Sequence, residues 1–198
     1  MRLDAFEISV LGVGHLAAAV RMQLALRGSS AEDDSTTAHA TRLVLACSDY
    51  LCTSSFADAN RRALAARSPI LFAWISACRV ELGPLVVPLE SPCFECQPTR
   101  RWDFSLNNEF AELAFDVVSL APRATLNPDT RLKSVAQFGA AVLTHSVNPL
   151  RLGALWPRLI GRVAKFDPPC THPEVATLTW APDCPVCGGP PRGISCQR

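Results

Sequence analysis

The 198-residue sequence lacks a long hydrophobic run, a surplus of either charge and, before Lys133, any lysine. Its apolar stretches end well short of the ~18 residues that indicate a membrane-spanning helix, so we expect no membrane segment. A formal net charge of +1 gives no basic footprint for nucleic acid, so no nucleic-acid partner is expected. Asp4 and Glu7 interrupt the first apolar stretch, which does not fit a signal peptide. These absences favour a cytoplasmic protein.

The sequence does contain nine cysteines. An odd number in a chain that is not exported argues against a disulfide framework and for metal binding or catalysis. Cys47, Cys52 and Cys78 lie in apolar surroundings and are predicted to be small buried side chains. Cys170 and Cys196 have no partner at a motif spacing. The other four cysteines form two C-x-x-C pairs.

The two pairs are Cys93 and Cys96 in "SPCFEC", and Cys184 and Cys187 in "DCPVC". Together they can supply four thiolates to one tetrahedral zinc ion, with each pair forming a knuckle on one side of the metal. A redox C-x-x-C is an alternative, although one pair would suffice for it, and chance is a third. Zinc is the favoured interpretation. A site closed by four thiolates leaves no open position, so we expect this zinc to be structural.

The first part of the chain alternates predicted strands and helices. The strands are "ISVLGVG", "TRLVLACS" and "PILFAWISA", and the helices between them are "HLAAAVRMQLALRG" and "FADANRRALAARS". This alternation predicts βαβ units and a parallel sheet. "RVELGPLVVPLE" then predicts an antiparallel or irregular pair, followed by helices at 107–121 and 130–147 and short strands near the end. We therefore predict an α/β, Rossmann-like, mainly parallel sheet with a zinc knuckle pair and a small C-terminal α+β part.

A glycine motif, G-x-G-x-x-A, follows the first strand at Gly12, Gly14 and Ala17. In a Rossmann-type turn this motif brings a nucleotide phosphate to the amino terminus of the helix. The alternative is that the glycines serve packing alone.

The rest of a dinucleotide site is missing from the pattern. Asp33 and Asp34 are near the spacing of a ribose-binding acid, but they follow a loop-like segment and not a strand. Asp49 ends the second strand, where α/β proteins place groups that face a ligand. Gly12, Gly14 and Asp49 are therefore the candidate residues of a degenerate nucleotide site, and ATP binding is not favoured.

Several segments together resemble the ThiF-like superfamily, the adenylyltransferases of the ubiquitin-activating type. They are "LGVGHLAAAV", "LVLACSDY", "ADANRRALAARSPILFAWIS", "GPLVVPLESPCFEC" and "APDCPVCG", in this order. The last two look most like the branch found in thiazole/oxazole-modified peptide biosynthesis, whose members are partners of YcaO cyclodehydratases. The resemblance covers most of residues 8 to 188.

The resemblance implies a single domain over 1–188, followed by a flexible tail at 189–198. Active members carry a ribose-binding acid and catalytic polar residues between the first helix and the strand that ends in aspartate. Here the stretch at 28–41 is too short for them. Asp49 matches the family's magnesium-associated aspartate, and Asn60, Arg61 and Arg62 lie on the helix beyond it. The implied protein is a degenerate member that does not adenylate.

Three functions remain open from the sequence. The first is a non-catalytic scaffold with structural zinc that presents a precursor peptide to a YcaO-type enzyme or activates that enzyme. The family resemblance implies that this scaffold is a homodimer. Family members that bind the leader peptide often carry an amino-terminal winged-helix module. This chain starts at the Rossmann strand, so leader recognition is expected on another chain. The second function is an ATP-dependent adenylyltransferase acting on the C-terminal carboxylate of a carrier protein or peptide. The third is a Rossmann protein that binds a nucleotide without turnover.

Overall fold

A seven-stranded sheet runs through the protein, with the strand order β1-β2-β3-β4-β6-β7-β5. The computed structural model describes residues 7–26, 42–96, 105–106, 128–147, 158–167 and 173–190. The strands are β1 Glu7–Leu11, β2 Arg42–Ser48, β3 Ile70–Ser76, β4 Arg79–Val86, β5 Ser105–Leu106, β6 Arg162–Phe166 and β7 Glu174–Thr177. The helices are α1 His15–Leu26, α2 Thr53–Ala65 and α3 Pro128–Ser146, with a short 3-10 turn at Phe94–Cys96.

The N-terminal half of the sheet is parallel. β2 pairs with both β1 and β3 in parallel register, as the alternation of strands and helices predicts. β3 is buried from Ile70 to Ile75, which is expected for a strand covered on both faces. Its continuous apolar sequence, in which polar and apolar residues do not alternate, therefore indicates a central position in the sheet.

The other half of the sheet is antiparallel. β4 returns along β3, and β6, β7 and β5 continue in antiparallel pairing. The turn between β3 and β4 consists of Ala77 and Cys78, whose φ angles are 48° and 64°. Two residues with positive φ are typical of a type I′ hairpin turn, which fixes the antiparallel return. The predicted α/β class is confirmed. Among the described strands, the pairings of β2 with β1 and β3 are parallel and the other four are antiparallel, so the parallel part of the sheet is smaller than predicted.

The two faces of the sheet carry different layers. α1 and α3 pack with one core cluster, to which β3 contributes Leu71 and Ile75. α2 and the 3-10 turn pack with the second cluster, to which Phe72 and Trp74 project from the same strand. Because successive side chains of a strand point to opposite faces, β3 serves both cores. The result is a three-layer arrangement with the first cysteine pair on the α2 side.

Some predictions fall outside the described residues. These are the helix at 107–121, the shortened stretch at 28–41 and, beyond Pro190, the tail. The helix predicted at 130–147 is confirmed as α3. Among the residues that the structure describes, no helix is both long and apolar enough to cross a membrane.

Candidate metal centre and adjoining cavity

The first knuckle is held by a buried serine that precedes it. Ser91 accepts a hydrogen bond from the backbone N–H of Val87 at 2.8 Å, which fixes the turn after β4. The backbone N–H of Cys96 then bonds to the carbonyl of Cys93 at 3.0 Å. This 3-10 turn places the two sulfur atoms on the same side of the chain.

The second knuckle is closed in a similar way. The N–H of Cys184 donates to the carbonyl of Ala181 at 3.2 Å, and the N–H of Gly188 donates to the carbonyl of Cys184 at 2.9 Å. Cys184 is buried and Cys187 is half-buried. The second pair therefore faces the protein interior, where the first pair lies.

The four predicted cysteines meet at one point. The Sγ atoms of Cys93, Cys96, Cys184 and Cys187 all lie within 4.8 Å of one another. Neighbouring sulfurs are 3.6 Å apart for Cys93–Cys184, 3.8 Å for Cys93–Cys96 and 3.4 Å for Cys96–Cys187. A tetrahedral zinc with Zn–S bonds of about 2.3 Å has S···S edges of about 3.8 Å. The observed separations fit such a metal, and they are far too long for disulfides.

The protonation of these thiols also fits a shared cation. The hydrogen bond shared by Cys93 and Cys96, together with burial, raises the pKa of Cys93, and the same hydrogen bond lowers the pKa of Cys96 to about 5. Burial raises the pKa of Cys187 to about 11. Without a cation, the ionisation of one thiol therefore makes the ionisation of its neighbour less favourable. A divalent metal removes this conflict because it stabilises all the thiolates together.

Aromatic packing anchors the first knuckle to the sheet. Phe94, which lies between its two cysteines, is fully buried. Its ring stacks on Phe72 of β3 with centroids 4.6 Å apart and meets Phe56 of α2 edge-on at 5.7 Å. The knuckle is thus part of the second core cluster and not a surface loop.

The glycine loop connects β1 to α1. Gly12 and Gly14 have φ angles of 115° and 103°. A Cβ on Gly12 would overlap the carbonyl of Cys47, and one on Gly14 would lie 2.5 Å from Asp49 Oδ2. Both positions thus require glycine for packing against β2 and the residue that follows it.

Asp49 occupies the amino terminus of α1. Its Oδ2 accepts the N–H of His15 and its Oδ1 accepts the N–H of Leu16, both at 2.8 Å. These N–H groups belong to the helix terminus that would bind a phosphate in a Rossmann-type site. The structure thus brings the three predicted nucleotide-site residues together, with a carboxylate of the protein itself bound to the helix terminus.

A cavity of about 430 Å³ opens beside this contact, at the carboxyl ends of β1 and β2. Among its lining residues are Cys52, Ser55 and Arg62 of the α2 region. Cys47 is buried as predicted. The same prediction is wrong for Cys52 and for Cys78 in the β3–β4 turn, because both are only partly buried. Hydrogen bonds with Ser55 lower the pKa of Cys52. The polar "TSS" after Cys52, typical of a helix start, was the available signal.

No protein-family model and no curated protein sequence matches the chain. Solved structures do match. A heterocyclase in complex with substrate and cofactor aligns with a TM-score of 0.61 and 21% identity over 94% of this chain and 26% of its own. The heterocyclase TruD aligns with a TM-score of 0.58 and 22% identity over 91% of this chain and 27% of its own.

A third match is MccB of E. coli, with a TM-score of 0.60 and 14% identity over 100% of this chain and 68% of its own. MccB has also been solved with ATP. The chain spans about a quarter of the length of the two heterocyclase chains. The fold expected from the ThiF-like resemblance is thereby confirmed: this chain has the fold of a segment of TruD and of most of MccB.

Proposed function

We propose that the chain is a non-catalytic, ThiF-like partner protein in the biosynthesis of ribosomally made peptide natural products. In this role it presents a precursor peptide to a YcaO-type cyclodehydratase or activates that enzyme. The observation that carries the proposal is the fold likeness to two heterocyclases over more than nine-tenths of this chain. The heterocyclase with bound substrate supports a link between this fold and peptide modification.

The contact of Asp49 with α1 supports the non-catalytic part. A nucleotide phosphate that approached the N–H groups of His15 and Leu16 would meet a carboxylate already bound to them. The phosphate and the carboxylate would repel each other because both are negatively charged. The positive end of the helix dipole already interacts with the carboxylate of Asp49. The geometry therefore favours a scaffold over an adenylating enzyme.

An ATP-dependent adenylyltransferase is the second candidate. The cavity at the carboxyl ends of β1 and β2 favours it, because α/β proteins bind ligands at this edge of the sheet. The likeness to MccB, which has been solved with ATP, supports it as well. In this alternative Asp49 would leave α1 when magnesium and nucleotide bind.

Two assays separate the candidates. The first measures ATP–pyrophosphate exchange by the purified chain with a candidate precursor peptide, and we expect none above background. The second measures loss of water from that peptide by a neighbouring YcaO-type enzyme, with and without this chain, and we expect faster cyclisation with it. An unrelated protein at equal concentration is the control.

Robust exchange that is lost in Asp49→Asn would establish the adenylyltransferase and overturn the scaffold. Cyclisation that is unaffected by this chain would also overturn the scaffold.

Zinc is the proposed metal, and a cytoplasmic homodimer is the proposed form. The four-thiolate geometry supports zinc, and the seven cysteines in the described part of the chain are free thiols, which fits a reducing compartment. Met22 and Leu26, one helical turn apart on α1, are 54% and 81% exposed, which supports a contact with a second copy. Metal analysis measures the zinc content, and light scattering after size exclusion measures the oligomeric state.

A further inference from the structure

Helix α2 lies between the metal centre and the cavity. Asn60 and Arg61 contact the first knuckle. The cavity is lined by other residues of the same helix and its cap, namely Cys52, Ser55, Phe56, Ala59 and Arg62. The two sites therefore share one helix, and Phe56 belongs to both, since its ring also meets that of Phe94 in the first knuckle.

Asn60 makes the buried contact of this pair. Its side chain has no exposure, and its Oδ1 accepts the backbone N–H of Phe94 at 3.3 Å. Within the described residues, its Nδ2 has no hydrogen-bond partner. A buried amide that satisfies only one of its polar atoms is costly, so its presence points to the importance of the Phe94 contact.

The neighbouring contact is more exposed. Arg61 Nη2 lies 2.7 Å from Glu95 Oε2, but the Arg61 side chain is 56% exposed. Solvent screens such an ion pair, so its contribution is small. Asn60 is thus the principal polar link between α2 and the knuckle.

Phe94 connects Asn60 to the two cysteines of the first knuckle through the backbone. It directly follows Cys93 and stands two residues before Cys96, so a shift of its backbone moves both ligands of the first pair. Groups that orient metal ligands in this manner strongly affect metal affinity.

We propose that Asn60 is a positioning residue that holds the first knuckle in its metal-binding geometry and thereby couples metal binding to the order of α2 and of the cavity wall. By thermodynamic linkage, a ligand that orders α2 from the cavity side strengthens metal binding by the same factor by which bound metal strengthens the binding of that ligand. The proposal rests on metal binding by the four cysteines and not on the partner role in peptide biosynthesis.

Two substitutions of Asn60 in the zinc-loaded full chain test it. Asn60→Leu keeps the approximate size but removes the acceptor, whereas Asn60→Asp keeps an oxygen for the Phe94 N–H. Zinc release to a chromogenic chelator should be roughly tenfold faster or more in Asn60→Leu, and closer to the unmodified rate in Asn60→Asp. Hydrogen–deuterium exchange over residues 53–65 should also be faster in Asn60→Leu.

Thr144→Val is the matched control on the opposite face of the sheet. Thr144 is buried in α3 and donates to the carbonyl of Ala140 at 2.8 Å. Its loss should loosen α3 and leave zinc release and α2 unchanged. The proposal is overturned if Asn60→Leu releases zinc no faster than Thr144→Val, or if exchange over 53–65 does not change.

A second measurement covers the case in which Asn60→Leu does not fold. Zinc is withdrawn from the unmodified protein while exchange is followed in α1, α2 and α3. The proposal requires α2 to lose protection before α1 and α3, which pack on the other face. Equal changes in all helices, or no change in α2, overturn it.

Discussion

The carboxylate of Asp49 accepts hydrogen bonds from the first two N–H groups of α1, those of His15 and Leu16. Asp49 follows β2 and is 34 and 33 positions away from these two residues in the sequence. A helix amino terminus carries unpaired N–H groups and a partial positive charge. A carboxylate satisfies both, so the side chain acts as an N-terminal cap supplied from a distance. This contact accounts for Gly14, since any side chain there would strike Asp49.

We expect Asp49→Ala to lower the free energy of unfolding by about 1–2 kcal/mol, the range for a lost N-cap. Urea denaturation followed by circular dichroism measures the change. Asp58→Ala is the control, because Asp58 is exposed on α2 and its pair with Arg61 is long at 3.6 Å. Equal stability of the two variants would show that the cap contributes nothing.

Three adjacent strands carry a row of charged side chains. Glu81 of β4 pairs with Lys165 of β6, and Lys165 pairs with Glu174 of β7, with Nζ 3.3 Å from Glu174 Oε2. Glu81 lies opposite Trp74 in the β3–β4 register and is only 6% exposed. Burial raises the pKa of Glu81, although Lys165 opposes the shift. The row therefore contains one carboxyl group that is disfavoured in its charged form.

This shift predicts a pH dependence with a definite sign. Between the ordinary pKa of Glu81 and its raised value, the folded protein retains a proton that the unfolded chain has lost, so stability falls as pH rises through this window. Glu81→Gln lacks the titration. As pH rises from the ordinary pKa of Glu81 through its raised value, the unfolding free energy of the unmodified protein should therefore fall relative to that of Glu81→Gln.

Urea titrations at several pH values measure the difference for Glu81→Gln. Thr144→Val, which introduces no change in titratable groups, should differ from the unmodified protein by a constant amount. A pH-independent difference for Glu81→Gln would contradict the assignment of a raised pKa.

The two knuckles join distant parts of the molecule. Cys93 and Cys184 are 91 positions apart in sequence, yet their sulfurs lie 3.6 Å apart. A metal bound there links the strand–helix half of the chain to its C-terminal segment. Because such a site forms only in the folded chain, the free energy of metal binding adds directly to stability.

Cys184→Ser should consequently lose the metal and unfold at a lower temperature. Metal analysis and thermal denaturation check the two effects. Cys78→Ser is the control, since Cys78 lies in the β3–β4 turn, outside the sulfur cluster. Full metal content and unchanged stability in Cys184→Ser would refute the metal centre.

Local patterns in the sequence determined the elements and the ligand types. The continuous apolar run of β3 and the apolar spacing of α2 predict a buried strand and an amphipathic helix, because these periods follow from backbone geometry. The C-x-x-C spacing likewise identifies the candidate metal ligands, since a separation of three residues is set by a single turn. The fold class and the four cysteines could thus be predicted before any coordinates.

Only the tertiary structure decided where side chains from separate elements meet. The sequence placed Asp49 at the end of a strand but could not show that its carboxylate turns onto α1. Asn60 was visible on a helix, yet its contact with the N–H of Phe94 depends on how α2 lies across the sheet. Sequence periodicity records which face of an element is buried, whereas the partner on that face is set by long-range packing of the whole chain.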